Sequence, residues 1–186
     1  MKKNKVMGKI IFGVLAVSIM PVVLSFRSEK GGEEKINWMS WEEAVILSKE
    51  NPKRIFIDVY TEWCGWCKRM DKTTFSDKEV ATFMNKNFYA VKLDAEQKED
   101  IIFQNNTFKF LPDAGRRGVH ELAKALLDGK MSYPSIVYMD EQFRRITISA
   151  GYKDAKGIMP ELKYVGKGIY EKMTWQDYYQ SLNLEK

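Results

Sequence analysis

The two cysteines of this 186-residue chain, Cys64 and Cys67, are separated by only two residues and directly follow an apolar run. That run, Arg54–Tyr60, is rich in β-branched residues and predicts a buried strand. A helix is predicted from the cysteine motif to Lys72, so Cys64 lies where a strand gives way to a helix. A disulfide across this spacing closes a very small loop and stabilises a fold little. The pair therefore predicts a redox switch rather than a structural crosslink.

Strand and helix patterns alternate along the rest of the chain. Capping-box patterns, in which a serine is followed three residues later by a glutamate, begin helices at Ser40 and Ser76. Further strands are predicted at residues 88–94, 134–140 and 143–150, the last two joined by a tight turn, and further helices at 120–127, from 155 or 160 to 173, and at 174–184. This order predicts an α/β fold with a mixed central sheet flanked by helices.

The position of Cys64 at the start of a helix predicts its chemistry. Unpaired amides and the positive end of the helix dipole stabilise a thiolate there, and the thiolate is the attacking species. We therefore assign Cys64 as the nucleophile that forms a mixed disulfide with the substrate. Cys67, one helical turn further on, resolves that intermediate. Gly65 and Trp66 between them shape access to the site and tune its potential.

An acidic residue, Asp58, lies in the middle of the apolar strand before the motif. A buried carboxylate has a raised pKa and can transfer protons near neutral pH. We interpret Asp58 as the group that accepts and returns the proton of Cys67, although a hydrogen-bonded structural carboxylate is the simpler alternative. Lys92, in the next predicted strand, either pairs with Asp58 and supports this proton transfer or lies at the surface.

The first 26 residues have the pattern of a targeting segment. Four lysines precede an uncharged, mostly apolar run at residues 10–26, and no acidic residue occurs before residue 28. The run is short for a membrane-spanning helix, which needs about 20 residues, and a small-residue cleavage site ends at Ser25. We interpret residues 1–26 as a signal peptide or an N-terminal membrane anchor and residues 27–35 as a flexible linker. The domain at 36–186 would then lie outside the cytoplasm.

Charge and ligand counts exclude two classes of function. The net charge of +5 comes from the N-terminal segment, and residues 28–186 carry equal numbers of basic and acidic residues. The folded part is therefore not expected to bind nucleic acid. A structural zinc site needs about four ligands, whereas the chain offers two cysteines and His120. We expect no metal and no cofactor beyond a redox-active Cys64–Cys67 disulfide.

The motif Glu62–Lys68 (Glu-Trp-Cys-Gly-Trp-Cys-Lys), after a strand that carries Asp58, resembles the thioredoxin family. The resemblance covers residues 36–172 and implies a thioredoxin fold. It also extends to Lys92, to Tyr133-Pro134 at the family's cis-proline position, and to a glycine after the final hairpin.

The resemblance implies roles for residues around the cysteines. In the family the cis-proline loop faces the two sulfurs and binds the substrate backbone, which assigns substrate binding to Tyr133 and Pro134. Trp63, with Gly65 and Trp66, would also contact substrate, although a structural role for Trp63 remains an alternative.

Two departures separate this chain from thioredoxin itself. Gly-Trp replaces Gly-Pro between the cysteines, and the segment at about 103–131 is longer, which predicts a helical insertion before the cis-proline strand. The motif resembles more closely the exported thioredoxin-like proteins that are related to the C-terminal domain of bacterial transmembrane disulfide reductases.

We therefore predict a monomeric thiol–disulfide oxidoreductase of the bacterial periplasm or cell envelope. It exchanges disulfides with exported proteins, receives electrons from a membrane or soluble thiol donor, and acts as a reductant or isomerase-like enzyme rather than a strong oxidant. It contacts the membrane only through an N-terminal anchor, if the leader is retained. The alternative is a thioredoxin-like binding or chaperone module without redox turnover.

Overall fold

A computed structural model describes residues 34–184. Its strands, in chain order, are β1 (Trp38–Met39), β2 (Arg54–Tyr60), β3 (Phe88–Asp94), β4 (Ile101–Phe103), β5 (Asn106–Phe108), β6 (Phe110–Leu111), β7 (Val119–His120), β8 (Ser135–Met139) and β9 (Arg145–Ala150). Its α-helices are α1 (Trp41–Glu50), α2 (Gly65–Thr73), α3 (Lys78–Asn87), α4 (Glu121–Leu126), α5 (Ala155–Gly166) and α6 (Trp175–Leu184), and a 3₁₀-helix spans Ile169–Glu171.

Five of the strands form one mixed sheet in the order β1-β3-β2-β8-β9. Strands β1, β3 and β2 are parallel, whereas β8 is antiparallel to both β2 and β9. The apolar strand β2 lies at the centre of the sheet. Its side chains are therefore covered on both faces, as its continuous hydrophobic run predicts. The α/β fold with a mixed sheet flanked by helices is thereby confirmed.

Side chains of β2 alternate between two hydrophobic clusters. Ile55, Ile57 and Val59 face the cluster covered by α1 and α4, and Phe56 faces the cluster covered by α2, α3 and α5. The alternation places Asp58 on the same face as Phe56. The acidic residue therefore lies beneath α2, the helix that carries the cysteine pair.

Side-chain caps mark the starts of α1 and α3, and one of the two predicted caps needs correction. Ser40 and Glu43 form the predicted reciprocal capping box of α1. The prediction that Ser76 caps α3 is wrong, because the carboxylate of Asp77 accepts hydrogen bonds from the Glu79 and Val80 amides. The Ser76 hydroxyl instead donates to the Lys72 carbonyl at the end of α2.

The insertion before β8 is helical only over α4. Two small antiparallel sheets, β4 with β5 and β6 with β7, form most of the rest. The helix ends before Asp128 and Gly129, which both have left-handed φ values, 52° and 72°. His120 caps α4 and is fully buried rather than at the surface.

The C-terminal region is more interrupted than predicted. The helix expected to reach residue 173 ends at Gly166, and Gly168 then adopts a left-handed φ of 67°. Helix α6 follows at the predicted place. The leader at 1–26 and most of the linker at 27–35 lie outside the described residues. Within residues 34–184, no helix combines the length and the apolar character that a membrane span requires.

Candidate active site

Cys64 and Cys67 form a disulfide at the N-terminus of α2, with sulfurs 2.06 Å apart. Cys64 is the N-cap residue, and its Sγ accepts a hydrogen bond of 3.1 Å from the Cys67 amide. This is the contact that stabilises a thiolate at a helix start. Cys64 is 5% exposed and Cys67 is 2% exposed, so Cys64 is the more accessible sulfur-bearing residue.

Asp58 and Lys92 lie side by side in the parallel ladder of β2 and β3. The Lys92 ammonium donates a hydrogen bond of 2.7 Å to Oδ2 of Asp58, whereas Oδ1 is buried and has no hydrogen-bond partner within the described part of the chain. Burial raises the pKa of the Asp58 carboxyl, and it outweighs the opposing effect of Lys92. Burial also acts to lower the pKa of Lys92, but the contact with Asp58 raises it overall.

A second carboxylate, Asp71, also binds Lys92. Asp71 is partly exposed and Asp58 is buried, so Lys92 bridges the interior to the surface. Sequence reasoning missed Asp71. Its position four residues after Cys67 places both on one face of α2, which is the signal that identifies it.

A cavity of about 260 Å³ connects these groups to the cysteine pair. Cys67, Lys92 and Asp71 line it, together with residues 60–62 and Lys68. Asp58 does not line the cavity itself but contacts Lys92, which does. The transfer of a proton between Cys67 and Asp58 stays a prediction.

Two exposed tryptophans flank the disulfide. Trp63, 53% exposed, packs edge to face against Tyr133, with ring centroids 5.9 Å apart. Trp66, 55% exposed, lies 5.3 Å from the Tyr152 ring, with the Arg69 guanidinium over its face. The indole rings are fixed by these neighbours while much of their surface remains open to a substrate.

The remaining substrate-binding candidates occupy the same region. The Tyr133–Pro134 peptide bond is cis, and the Pro134 carbonyl accepts a hydrogen bond of 2.8 Å from Gly151. Tyr133 brings this loop against the active-site loop through Trp63. An added Cβ on Gly65 would meet no atom within 4 Å, so Gly65 leaves the approach to the sulfurs open. The roles assigned to these residues in substrate binding remain predictions.

Residues 34–184 contain no cluster of three or more histidine, cysteine, aspartate or glutamate side chains arranged to hold a metal. His120 lies in the insertion, where its Nε2 is 3.1 Å from the Glu99 carbonyl and its Nδ1 accepts from the Leu122 amide. Both ring nitrogens are thus used in local structure.

The model of the Thioredox_DsbH family, described as a protein of unknown function, DUF255, matches residues 28–145 of the chain. The chain belongs to the Thioredox_DsbH family. The match includes β2, the cysteine motif and the insertion. The match confirms the resemblance to the thioredoxin superfamily.

Two curated relatives are longer proteins, and the chain matches only a part of each. An uncharacterized protein of Caenorhabditis elegans is 39% identical over 67 residues, which is 36% of this chain and 9% of that protein. The thiol:disulfide interchange protein DsbD of Photorhabdus laumondii is 26% identical over 136 residues, covering 70% of this chain and 19% of DsbD. The chain spans less than a tenth of the first of these relatives and about a fifth of DsbD.

Solved structures share the fold. A DsbH oxidoreductase superposes with a TM-score of 0.51 at 18% identity, covering 72% of this chain and 85% of that one. A thioredoxin from Thermus thermophilus superposes with a TM-score of 0.53 at 16% identity, covering 70% and 87%. These similarities establish the thioredoxin fold.

Proposed function

We propose that this enzyme reduces or rearranges disulfides in exported proteins through unequal roles of Cys64 and Cys67. The observation that carries the proposal is the position of Cys64 as the N-cap of α2, where its sulfur accepts a hydrogen bond from the Cys67 amide. The same helix start would stabilise the Cys64 thiolate in the reduced enzyme.

The exchange proceeds in two displacements. The Cys64 thiolate attacks one sulfur of the substrate disulfide, which breaks that bond and releases a substrate thiolate that takes up a proton. Cys67 then loses its proton and attacks Sγ of Cys64 in the mixed disulfide. The second substrate thiol leaves, the substrate has gained two electrons and two protons, and the enzyme is left with the Cys64–Cys67 disulfide.

Asp58 is proposed to accept the proton that Cys67 loses. Its raised pKa makes the buried carboxylate a stronger base than a solvated aspartate, and its Oδ1 has no hydrogen-bond partner among the described residues. Lys92 holds the carboxylate in place and contacts the cavity that Cys67 lines. Asp58 is therefore assigned a proton-transfer role and Lys92 a positioning role.

The buried carboxylate also favours reducing activity over oxidising activity. Asp58, Asp71 and Lys92 together carry one net negative charge beside the cavity that Cys67 lines, which disfavours the Cys67 thiolate. A less stable reduced form lowers the reduction potential. We infer a potential below about −180 mV, the value of protein disulfide isomerase, and far from the −120 mV of DsbA, a strong oxidant. Equilibration with glutathione buffers, read by the alkylation state of Cys64, measures it.

The cell envelope of a bacterium is the proposed location, and exported protein disulfides are the proposed substrates. The basic and apolar pattern at residues 1–26 supports this placement. A membrane or soluble thiol donor would return the enzyme to its reduced form, because each substrate reduction leaves the Cys64–Cys67 pair oxidised.

Insulin reduction with dithiothreitol as the electron donor tests the proposal. We expect the wild-type protein to accelerate insulin precipitation and Cys64→Ser to lose this activity entirely. Thermal unfolding of Cys64→Ser against reduced wild-type protein controls for folding. Full activity in a folded Cys64→Ser protein would contradict the assigned nucleophile.

A further inference from the structure

A groove of about 510 Å³ lies between the insertion and the active-site loop. We call it the insertion groove. It is lined by Trp63 and Tyr133 on the active-site side and by residues 114–119 on the insertion side, with Glu96, Lys124, Gly129 and Met131 completing it. The volume is that of a ligand-sized site rather than a packing gap.

The groove begins beside the residues that react, at their neighbours in the sequence. Trp63 immediately precedes Cys64, and Tyr133 immediately precedes the cis-proline Pro134. A polypeptide whose cysteine is bonded to Cys64 therefore enters or leaves the site past the groove. The groove is open to the residues that flank the substrate cysteine rather than to the cysteine itself.

Three basic side chains line the groove, namely Arg116, Arg117 and Lys124. Among the ion pairs within residues 34–184, none involves these three. The Arg117 guanidinium lies 5.7 Å from the Trp63 ring centre. The one acidic residue in the lining, Glu96, accepts a hydrogen bond of 2.9 Å from the Trp63 indole. The groove therefore carries an excess of positive charge.

The backbone next to Arg116 and Arg117 is held in one position by a glycine and a buried valine. Gly118 has a left-handed φ of 76°, and a Cβ there would lie 2.2 Å from the Phe110 ring and 2.9 Å from the Leu111 carbonyl. Only glycine permits this approach, which packs the end of the loop that carries Arg116 and Arg117 against β6. Val119, buried just beyond it, anchors the loop in the core.

We propose that the insertion groove binds an acidic, extended segment of the polypeptide whose disulfide is exchanged. The inference rests on the proposed function and names the substrate class of the same site. The arginines supply planar, bidentate donors for carboxylates. Ala114, Val119 and Met131 supply an apolar floor for a side chain between the acidic residues.

Tyr133 adds a neutral hydrogen-bond donor to the groove. Burial, with the nearby Glu96 and Asp94 carboxylates, raises the pKa of Tyr133 to about 12. The hydroxyl therefore stays protonated at physiological pH and donates to a carbonyl or carboxylate of the bound segment. Acidic segments gain from both charge and hydrogen bonding, whereas basic segments meet repulsion from the arginines.

The test uses two synthetic disulfide peptides that differ only in having glutamates or glutamines beside one cysteine. The reduced full-length protein is mixed with each peptide, and the second-order rate constant is measured from tryptophan fluorescence. Rates of the same peptides with dithiothreitol correct for the effect of the glutamates on cysteine reactivity. We expect a corrected preference of roughly tenfold for the glutamate peptide at low salt, from two exposed charge pairs and electrostatic steering, and a smaller preference at high salt.

Arg116→Glu is the informative variant because, unlike Arg117, Arg116 lies over no aromatic ring of the residues that the structure describes. We expect it to remove the preference while leaving the rate with the glutamine peptide within about twofold, since only charge pairing is changed. Lys109→Glu is the matched control, because Lys109 is exposed in the same insertion but does not line the groove. Equal corrected rates for the two peptides in the wild-type protein, or equal losses in both variants, would overturn the proposal.

A binding measurement separates this inference from the proposed function. Versions of both peptides with serine in place of cysteine are titrated into the oxidised protein, and the Trp63 indole resonance is followed by NMR. Tighter binding of the glutamate peptide supports the groove even if no exchange is catalysed. Catalysis without any difference in binding or rate would retain the proposed function and refute the groove.

Discussion

The Lys92 ammonium lies 2.7 Å from Oδ2 of Asp58, while Oδ1 of the same buried carboxylate has no hydrogen-bond partner among residues 34–184. The pair is therefore only half satisfied on the acidic side. Such an arrangement is costly for an ionised carboxylate, because burial removes its hydration and one neighbour does not replace it. The cost is consistent with a group retained for proton transfer rather than for stability.

Asp58→Asn should stabilise the oxidised protein at pH 7. Because burial raises the pKa of folded Asp58 despite Lys92, the ionised carboxylate destabilises the folded state at pH 7, and a neutral isostere is expected to raise the free energy of unfolding. Lys92 keeps Asp71 as a partner in the variant. Urea denaturation at fixed pH measures the change, and a loss of stability at pH 7 would show that the carboxylate is structural.

The effect of Asp58→Asn on the free energy of unfolding should depend on pH in a predictable direction. Because the folded-state pKa of Asp58 is raised, its contribution to stability is fully present below its unfolded value near 3.8 and is lost as pH rises through the folded value. The advantage of Asp58→Asn should therefore shrink as pH falls from 7 towards 4. Denaturation curves across this range measure it, and an advantage that grows on acidification would contradict the raised pKa.

Asp58→Asn should also slow the resolving step. Loss of the base is expected to lower the rate of Cys67 attack by roughly 10- to 100-fold, at or below the lower end of general acid–base effects. The formation of the mixed disulfide by Cys64 should be almost unchanged. Rapid quenching by acid and separation of the species resolves the two steps, and equal slowing of both would indicate a general disturbance of the site.

Asp71→Asn tests the outer end of the Lys92 bridge. Since the Asp71 pair is partly exposed, its loss should change stability by less than about 1 kcal/mol. It should nevertheless slow the resolving step several-fold, because Lys92 is then held by Asp58 alone. Asp100→Asn, an exposed aspartate without an ion pair among the described residues, is the control for charge. Identical kinetics in the two variants would remove Asp71 from the proton path.

Gly118→Ala and Gly115→Ala separate crowding from backbone strain in the insertion. Both glycines have left-handed φ values, 76° and 70°, but a Cβ on Gly115 meets no atom within 4 Å. Gly115→Ala should cost about 1 kcal/mol from conformation alone. Gly118→Ala should lower the free energy of unfolding by about 1–3 kcal/mol more, the usual cost of overpacking. Thermal unfolding compares them, and equal losses would show that Gly118 is not held against Phe110.

Long elements were predictable from the sequence because their patterns are strong. Strands β2 and β3 lie at the predicted residues, since each is a seven-residue run with few polar side chains. Strands of two or three residues, such as those of the insertion, are too short to show a period and were not predicted. The helix start at Asp77 was misplaced by one residue because serine and aspartate both cap helices well.

The core of the site was predictable from residue type and spacing, whereas its periphery was not. Cys64, Cys67 and Asp58 stand out as polar or reactive groups in or beside an apolar strand. The contact between Asp58 and Lys92 required the register of two parallel strands, which the sequence leaves open. In the sequence, Arg116 and Arg117 look like ordinary surface charges, and only the fold shows that they share a groove with Trp63.

Trapping with Cys67→Ser tests the central claim of unequal cysteines most directly. The variant is exposed to an envelope extract of oxidised proteins, and bound partners are identified by non-reducing electrophoresis and mass spectrometry. The account predicts stable mixed disulfides through Cys64 in Cys67→Ser and none in the double variant Cys64→Ser/Cys67→Ser. Mixed disulfides that form through Cys67 in Cys64→Ser, with none in Cys67→Ser, would reverse the assignment and contradict the mechanism.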